Sequence, residues 1–469
     1  MMLENTFFVF TEKKIFVVPR AEYESFQIED GFLSVKRKPL SAEAGCSDER
    51  VICILCHEET KPEDLVSPLC RAMHFVICRE CVQDIKERKP RVVVECPFCR
   101  EKTNRKEYHS EIIEMFFSLR TQQTLLSLEM SPDMEIESVA ELTLNSKVVL
   151  RNISISDSLF LLLMSRTKMD IRGGITLFEH RNTQMCCRAG LANETSDRIY
   201  ICTNGYNKDE IENIDENTKR IQKRRINIEA RFIYTEGKGV CILLKHCTVD
   251  AYGYSLGITE KEYIEEIIKE KNNSLWAGKV ENLELREYAV NLLPKLVEKQ
   301  MQELCLSAED SFQISKILEA EDRSIWVGKV KKLDLVGSAV EILSKLRFCE
   351  EIEMEELQLS AYCSGHVSRI LEAEDRSVWV GKVKNLFLDE YAIEILPKLR
   401  FHEENVMEEL SLCADDSGQI SRVLKVDDRS IWVGKAKNLD LGGSAVEILL
   451  KLKLHEGTEM EELSLCGYC

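Results

Sequence analysis

No stretch of this sequence reaches the roughly 18 consecutive apolar residues that a membrane-spanning helix needs, so the chain is not expected in a membrane. Nor is a leader expected from its first residues. Between Met1 and Arg20 the one apolar run is the short Phe7 to Phe10, with no basic stretch ahead of it. Tryptophan is scarce, with four in 469 residues. Positive charge is in deficit: the net charge is −18. Residues 281–469 alone carry 23 Lys+Arg against 37 Asp+Glu, so the acidity is mostly a property of that half and disfavours nucleic acid as its partner. Cysteine, by contrast, is plentiful at 19, but seven of these cluster and the rest are scattered, several at apolar positions of a repeat. That distribution does not read as a secreted disulfide framework; a reducing, intracellular, cytoplasmic setting is expected. Lys219 to Arg225 (KRIQKRR) reads first as a solvated basic face and second as a nuclear address. A chain of this length holds two or three domains.

The clustered cysteines lie in CILCHEETKPEDLVSPLCRAMHFVICRECVQDIKERKPRVVVECPFCR, from Cys53. The candidate ligands are Cys53, Cys56, Cys70, His74, Cys78, Cys81, Cys96 and Cys99. A tetrahedral zinc site takes four thiolate or imidazole ligands, and a C-x2-C knuckle supplies two of them from one turn. Three knuckles and a Cys/His pair make two complete sites with no ligand left over.

This order and spacing resemble a RING finger of the C3HC4 type, apart from three residues between His74 and Cys78 where that family more often has two. The resemblance implies two Zn2+ ions in a cross-brace. Cys53, Cys56, Cys78 and Cys81 would hold the first, and Cys70, His74, Cys96 and Cys99 the second. It also implies a shallow apolar groove for a ubiquitin-conjugating enzyme at Leu55, Ile85, Pro97 and Phe98. Arg100, just after the last ligand, matches the cationic linchpin that bridges conjugating enzyme and ubiquitin; a planar guanidinium with five donors suits that role.

Ahead of this region, residues 1–47 hold short β-like runs, TFFVF and KIFVVP, and a basic patch at Lys36 to Lys38. Beyond it, Ile112, Ile113, Phe116, Phe117 and Leu119, then Leu125, Leu126 and Met130, recur at helical spacing. They predict a linking helix over 108–130, which either docks on the next domain or aids a homodimer. Across 136–274 the runs VAELTL, RNISI, GITLF, RIYIC, RINIEARFIY and GVCILL all suit strands, without a clean period.

The C-terminal part is repetitive. SLWAGKVENLEL, SIWVGKVKKLDL, SVWVGKVKNLFL and SIWVGKAKNLDL place the four tryptophans at Trp276, Trp326, Trp379 and Trp432, 50, 53 and 53 residues apart. A second phrase, MQELCL, MEELQL or MEELSL, falls inside each period, so the unit is half as long. Eight copies of Leu-x-Leu begin at Leu283, Leu304, Leu333, Leu357, Leu386, Leu410, Leu439 and Leu463. Period-2 writing at the leucines alternates with helical writing such as AVEILSKLRF, and such units must stack to bury their apolar sides. The pattern resembles a leucine-rich-repeat solenoid over 275–469, with Pro294 and Pro397 in the return segments. It mostly lacks the asparagine that this family sets after Leu-x-Leu, so the backbone ladder there needs another partner. The tryptophans are expected in the core between repeats. Gly278, Gly328, Gly381 and Gly434 are expected to serve the turn into each strand. Cys413-Ala414-Asp415 resembles the Cys-x-Asp of a bacterial leucine-rich-repeat ligase class, but the sister positions are Ser307 and Ser360, which makes it a packing position.

The fold class expected is therefore α/β and multidomain, a small zinc cross-brace RING domain (48–104) followed, after a linking helix (105–135) and a poorly defined segment of β-rich structure or degenerate repeats (136–274), by an α/β solenoid of leucine-rich-repeat type. The function expected is a RING-type ubiquitin transferase. Its partners would be a conjugating enzyme, ubiquitin and a protein substrate on the repeat surface, with neither nucleic acid nor membrane. The rival is a non-enzymatic zinc-containing scaffold. Substrate contacts are expected at the residues between the paired leucines: Glu284, Cys305, Asp334, Gln358, Phe387, Ser411, Asp440 and Ser464.

Overall fold

A computed structural model gives a mixed α/β protein with large sheets. It describes the chain apart from residues 12–13, 25, 30–31, 36–50, 62–63, 67–73, 75, 89–95, 101–112, 115–116, 119, 182–184, 192–194, 273, 277–279, 298–300, 350–352, 456–459 and 468–469. Cys70, Gly278, Lys36 to Lys38, and Ile112, Phe116 and Leu119 of the expected linking helix therefore lie outside the described residues. No helix among those described is long and apolar enough to cross a membrane.

The chain divides into two compact units. The first comprises Met1–Ile153, Leu162–Arg172 and His180–Gly190. Its N-terminal runs form an antiparallel pair, Thr6–Phe10 with Ile15–Pro19, and the second of these also pairs with Ala140–Leu142. Phe8, Ile15 and Phe16 are buried, and Phe117 closes on Phe16 with ring centroids 5.7 Å apart. Phe117 is helical, as are Ile113, Glu114, Ser118 and Arg120, but the expected helix does not run to 130. Gln123–Thr124 and Ser127–Glu129 are strands instead. Leu128 is buried between polar neighbours, which is the alternation of a half-buried strand rather than a helical stripe. Around the cysteines, Val51–Ile52 pairs with Glu59–Thr60 and Leu65–Val66 with Ile77–Cys78, ahead of a helix, Arg79–Arg88.

The second unit comprises Ser154–Leu161, Gly173–Glu179 and Leu191–Cys469. It holds a long parallel sheet. Ile226–Glu236 pairs with Cys247–Ile258, which pairs with Asn282–Glu287, so pairing runs unbroken across the boundary expected at 275. From there the register joins Leu283, Leu304, Leu333, Leu357, Leu386, Leu410, Leu439 and Leu463 as successive partners. The second leucines form a parallel row from Leu285 to Leu465. Both rows are buried up to Leu441, each side chain contributing about 1.5–3 kcal/mol relative to exposure.

Several expectations need correction here. GVCILL is not a strand but lies in the helix Lys238–His246, buried on most sides, and a short apolar run reads the same in either state. The returns Tyr288–Lys295, Ser338–Lys345, Tyr391–Lys398 and Ser444–Lys451 are helical, as their period predicts, in the form of 3-10 helices. Length explains this: eight residues rise about 16 Å as 3-10 helix but about 12 Å as α-helix, and each must run back along a strand of about 20 Å. Nor are Trp326, Trp379 and Trp432 core residues. Trp326 is 42% exposed and Trp379 and Trp432 are half-buried, each with a guanidinium against its ring. Gly328, Gly381 and Gly434 lie inside strands at register shifts just past the tryptophans, with φ of 76°, 79° and 80° that favour glycine.

The backbone partners that the missing asparagine left open come from the returns. Glu341, buried in Ser338–Lys345, accepts from the Arg369 N–H at 2.9 Å. Glu394 repeats this with the Arg422 N–H at 3.0 Å, and Asn291 with the Ile317 N–H at 3.0 Å.

Candidate metal centre

The first knuckle is a tight turn: the His57 N–H donates to the Cys53 carbonyl at 2.9 Å and His57 has φ 61°. The last knuckle is built the same way, with the Arg100 N–H on the Cys96 carbonyl at 2.7 Å and Arg100 at φ 58°. A left-handed residue after the second cysteine turns the chain back, so both sulfurs face one point.

Cys78 and Cys81 complete the first group. Cys78 ends a short strand and Cys81 lies one turn into the helix Arg79–Arg88. The four sulfurs lie within 4.8 Å of one another. Cys53 and Cys81 are 3.9 Å apart, and Cys56 and Cys78 3.8 Å. Sulfurs bound at 2.3 Å on two corners of a tetrahedron stand about 3.8 Å apart, so the geometry suits a thiolate-bound metal. Val66, Ile77 and the half-buried Val76 form the apolar wall behind Cys53 and Cys78.

Electrostatics prepares the site. Burial alone would push the Cys53 thiol up, but the N–H groups of Cys56, Cys78 and Leu55 aim at it and bring it down to about 6. One of these, the Cys78 N–H, reaches the Cys53 sulfur at 3.2 Å. Burial and the neighbouring thiols push Cys81 the other way, since two anions in one small space repel. A divalent cation relieves that conflict by taking all four as thiolates.

The second group brings His74, Cys96 and Cys99 together. Cys96 Sγ and His74 Nδ1 are 3.7 Å apart, the separation of two corners of one mixed site. Two Cys/His groups able to hold metal ions are thus present, interleaved along the chain as 53, 56, 78, 81 and 74, 96, 99.

Leu55 and Phe98 are 41% and 62% exposed, Pro97 is half-buried and Arg100 is exposed. Phe98 also lies against the His74 ring, centroids 4.5 Å apart. Ile85 is on the helix Arg79–Arg88. Ile52, 63% exposed and immediately before the first ligand, is a further apolar surface residue that the ligand pattern did not single out. Its signal was available: an isoleucine in a two-residue strand with no core to fill.

In the second unit, Glu284, Cys305, Asp334, Gln358, Phe387, Ser411, Asp440 and Ser464 are successive register partners and all half-buried, forming one column on one face. Cys305 donates to Asp334 at 3.5 Å and Ser411 to Asp440 at 3.3 Å. Burial pushes the Asp334 carboxyl up, and nearby Glu356, Asp389 and Glu284 push the same way.

No family model, curated protein or solved structure matches this chain.

Proposed function

We propose that this chain is a RING-type ubiquitin-protein ligase whose two metal groups each hold a zinc ion and whose stacked parallel strands form a leucine-rich-repeat-like solenoid that recruits a protein substrate. The observation that carries the reading is the interleaving of the two ligand groups together with exposed Leu55 and Phe98 on two different knuckles. In this reading Cys53, Cys56, Cys78 and Cys81 hold one zinc, and His74, Cys96 and Cys99, with Cys70, the other. Zinc supplies folding energy here and no chemistry, since closed thiolate sites leave no open coordination position.

The ligase does not carry ubiquitin itself. Leu55, Ile85, Pro97 and Phe98 bind the charged conjugating enzyme, and Arg100 bridges it to ubiquitin with charge-assisted hydrogen bonds. Holding the thioester in one geometry lowers the barrier by orientation. The column from Glu284 to Ser464 holds the substrate, which raises the effective concentration of its lysine at the thioester. The acidity of that column suits a basic or polar protein.

The test is ubiquitin discharge from a panel of charged conjugating enzymes. Wild type accelerates discharge with at least one member, and Arg100→Ala and Arg100→Gly both lose the acceleration while keeping their metal. No acceleration with any member, from protein carrying both metals, overturns the reading in favour of a non-enzymatic scaffold.

A further inference from the structure

Three openings recur along the tryptophan edge of the second unit. Pro294, Ser324, Trp326 and Arg347 line the first, of 730 Å3. Arg323, Lys345, Ser377 and Trp379 line the second, of 340 Å3. Arg376, Pro397, Ser430 and Trp432 line the third, of 330 Å3. Their tryptophans are 53 residues apart in sequence, so the openings recur with the repeat, although the arginine in the lining differs: Arg347 in the first, Arg323 in the second and Arg376 in the third.

Each indole has a guanidinium against it. Arg347 lies 5.1 Å from the Trp326 ring centre, Arg400 5.3 Å from Trp379, and Arg376 5.2 Å from Trp432. The neighbouring lysines are ion-paired within the chain: Lys345 to Asp322 at 2.7 Å, Lys398 to Asp375 at 2.8 Å and Lys451 to Asp428 at 2.8 Å. Among the described residues, Arg347, Arg376 and Arg400 have no carboxylate oxygen within 4.0 Å, although residues 281–469 are strongly acidic. Stacking on a rigid ring fixes the plane of a guanidinium and leaves its donors for an incoming anion.

Spacing narrows the chemistry further. Two strands separate one tryptophan from the next. At about 4.8 Å per strand, the leucine ladder that carries the openings advances ~9.5 Å from one tryptophan period to the next. One turn of polyproline II helix takes three residues and about 9.3 Å. We propose that this edge is a docking surface for an extended, acidic, proline-rich segment of a partner protein, bound as polyproline II with one carboxylate in every three residues. Prolines enter the tryptophan-walled openings, and carboxylates take the forked donors of Arg347, Arg400 and Arg376. Such a segment is already extended before it binds, so little ordering entropy opposes docking. The inference rests on neither the metal groups nor ligase activity.

The probe is a synthetic peptide of four Pro-Pro-Glu units, titrated into the full chain. All four tryptophans of the protein belong to this repeat, so indole fluorescence reports on the surface directly. A saturable change is expected, weakened by salt. An Arg347→Gln, Arg400→Gln double variant with an unchanged thermal melt binds about tenfold more weakly or worse. Four units of Pro-Pro-Lys do not bind, and four of Gly-Ser-Glu, equal in charge but flexible, bind more weakly. The proposal is overturned if wild type ignores the Pro-Pro-Glu peptide, if Gly-Ser-Glu binds equally, or if the double variant is unaffected. It is also overturned if oligouridylate binds more tightly and is lost in the same variant, which would make the edge a nucleic-acid surface.

Discussion

His57 and Arg100, 43 positions apart, occupy the same place in two different turns. Each follows the second cysteine of a knuckle, each is left-handed at φ 61° and 58°, and each N–H donates to the carbonyl of that knuckle's first cysteine. The backbone constrains Arg100 before its guanidinium does any chemistry. Arginine and alanine both carry a Cβ at this positive φ, so Arg100→Ala keeps the backbone strain, about 1 kcal/mol, that Arg100→Gly relieves. We expect Arg100→Ala to match wild type in thermal stability and metal content, Arg100→Gly to be slightly more stable, and both to lose the proposed conjugating-enzyme discharge. A discharge defect in only one of the two would assign the effect to the turn.

Metal analysis resolves the two ligand groups. Cys53→Ser is expected to remove metal from the first group and Cys96→Ser from the second, each lowering the bound metal by at least about one equivalent because folding and binding are coupled there. Unchanged stoichiometry in either variant would sink the assignment of that residue.

Glu341 is buried, and its carboxylate accepts from the Arg369 N–H. Glu341→Leu is expected to destabilise the second unit by about 1 kcal/mol, because the Arg369 N–H loses its partner. Glu341→Gln keeps an acceptor and should cost clearly less. Denaturant unfolding of both variants decides it; equal losses would mean that shape rather than the hydrogen bond matters.

Glu287, Gly337, Glu390 and Gly443 open the four long 3-10 returns at φ between 56° and 64° with ψ near −130°. A Cβ at Gly337 would meet the Ala308 carbonyl oxygen at 2.3 Å. Glu390 holds the same conformation with a side chain, and burial and nearby Asp415, Asp389 and Asp416 raise its carboxyl pKa. Glu390→Gly is expected to stabilise by about 1 kcal/mol through relief of backbone strain. A lower melting temperature would refute this.

Asp334 gives a pH signature. Its folded pKa stands above the ordinary 3.8, chiefly through burial, with the Cys305 thiol opposing. The folded state holds this proton more tightly than the unfolded one. The contribution to stability is therefore complete below 3.8 and lost as pH rises through the raised folded value. Asp334→Asn should melt higher than wild type at neutral pH, with the gain vanishing below about pH 4. A gain independent of pH would point to a packing effect.

How far the sequence could be read depended on the kind of signal. The leucine register was legible in full because period-2 alternation repeats at fixed spacing, and each copy confirms the next. The ligand groups were legible because the side-chain chemistry of Cys53 to Cys99 admits few alternatives. The tryptophans misled: an apolar ring repeating with the core period looks like core, and nothing local says that Arg347 and Arg400 will cover it from outside. Glu341 carried no signal in the sequence: nothing in AVEIL marks the glutamate as buried, and its burial becomes apparent only when the backbone of the following half-repeat arrives to be capped. GVCILL carried no usable period at all.

Among the described residues, each leucine strand from Asn282 to Gly443 hydrogen-bonds in the ladder to the strand one half-repeat before it and the one after it. Removing a whole 53-residue period, or inserting one, would leave each remaining strand beside a neighbour of the same kind. Length is thus a variable that gene duplication or loss can change without refolding the remainder, whereas a shift of one residue within a period would turn a row of leucines into water.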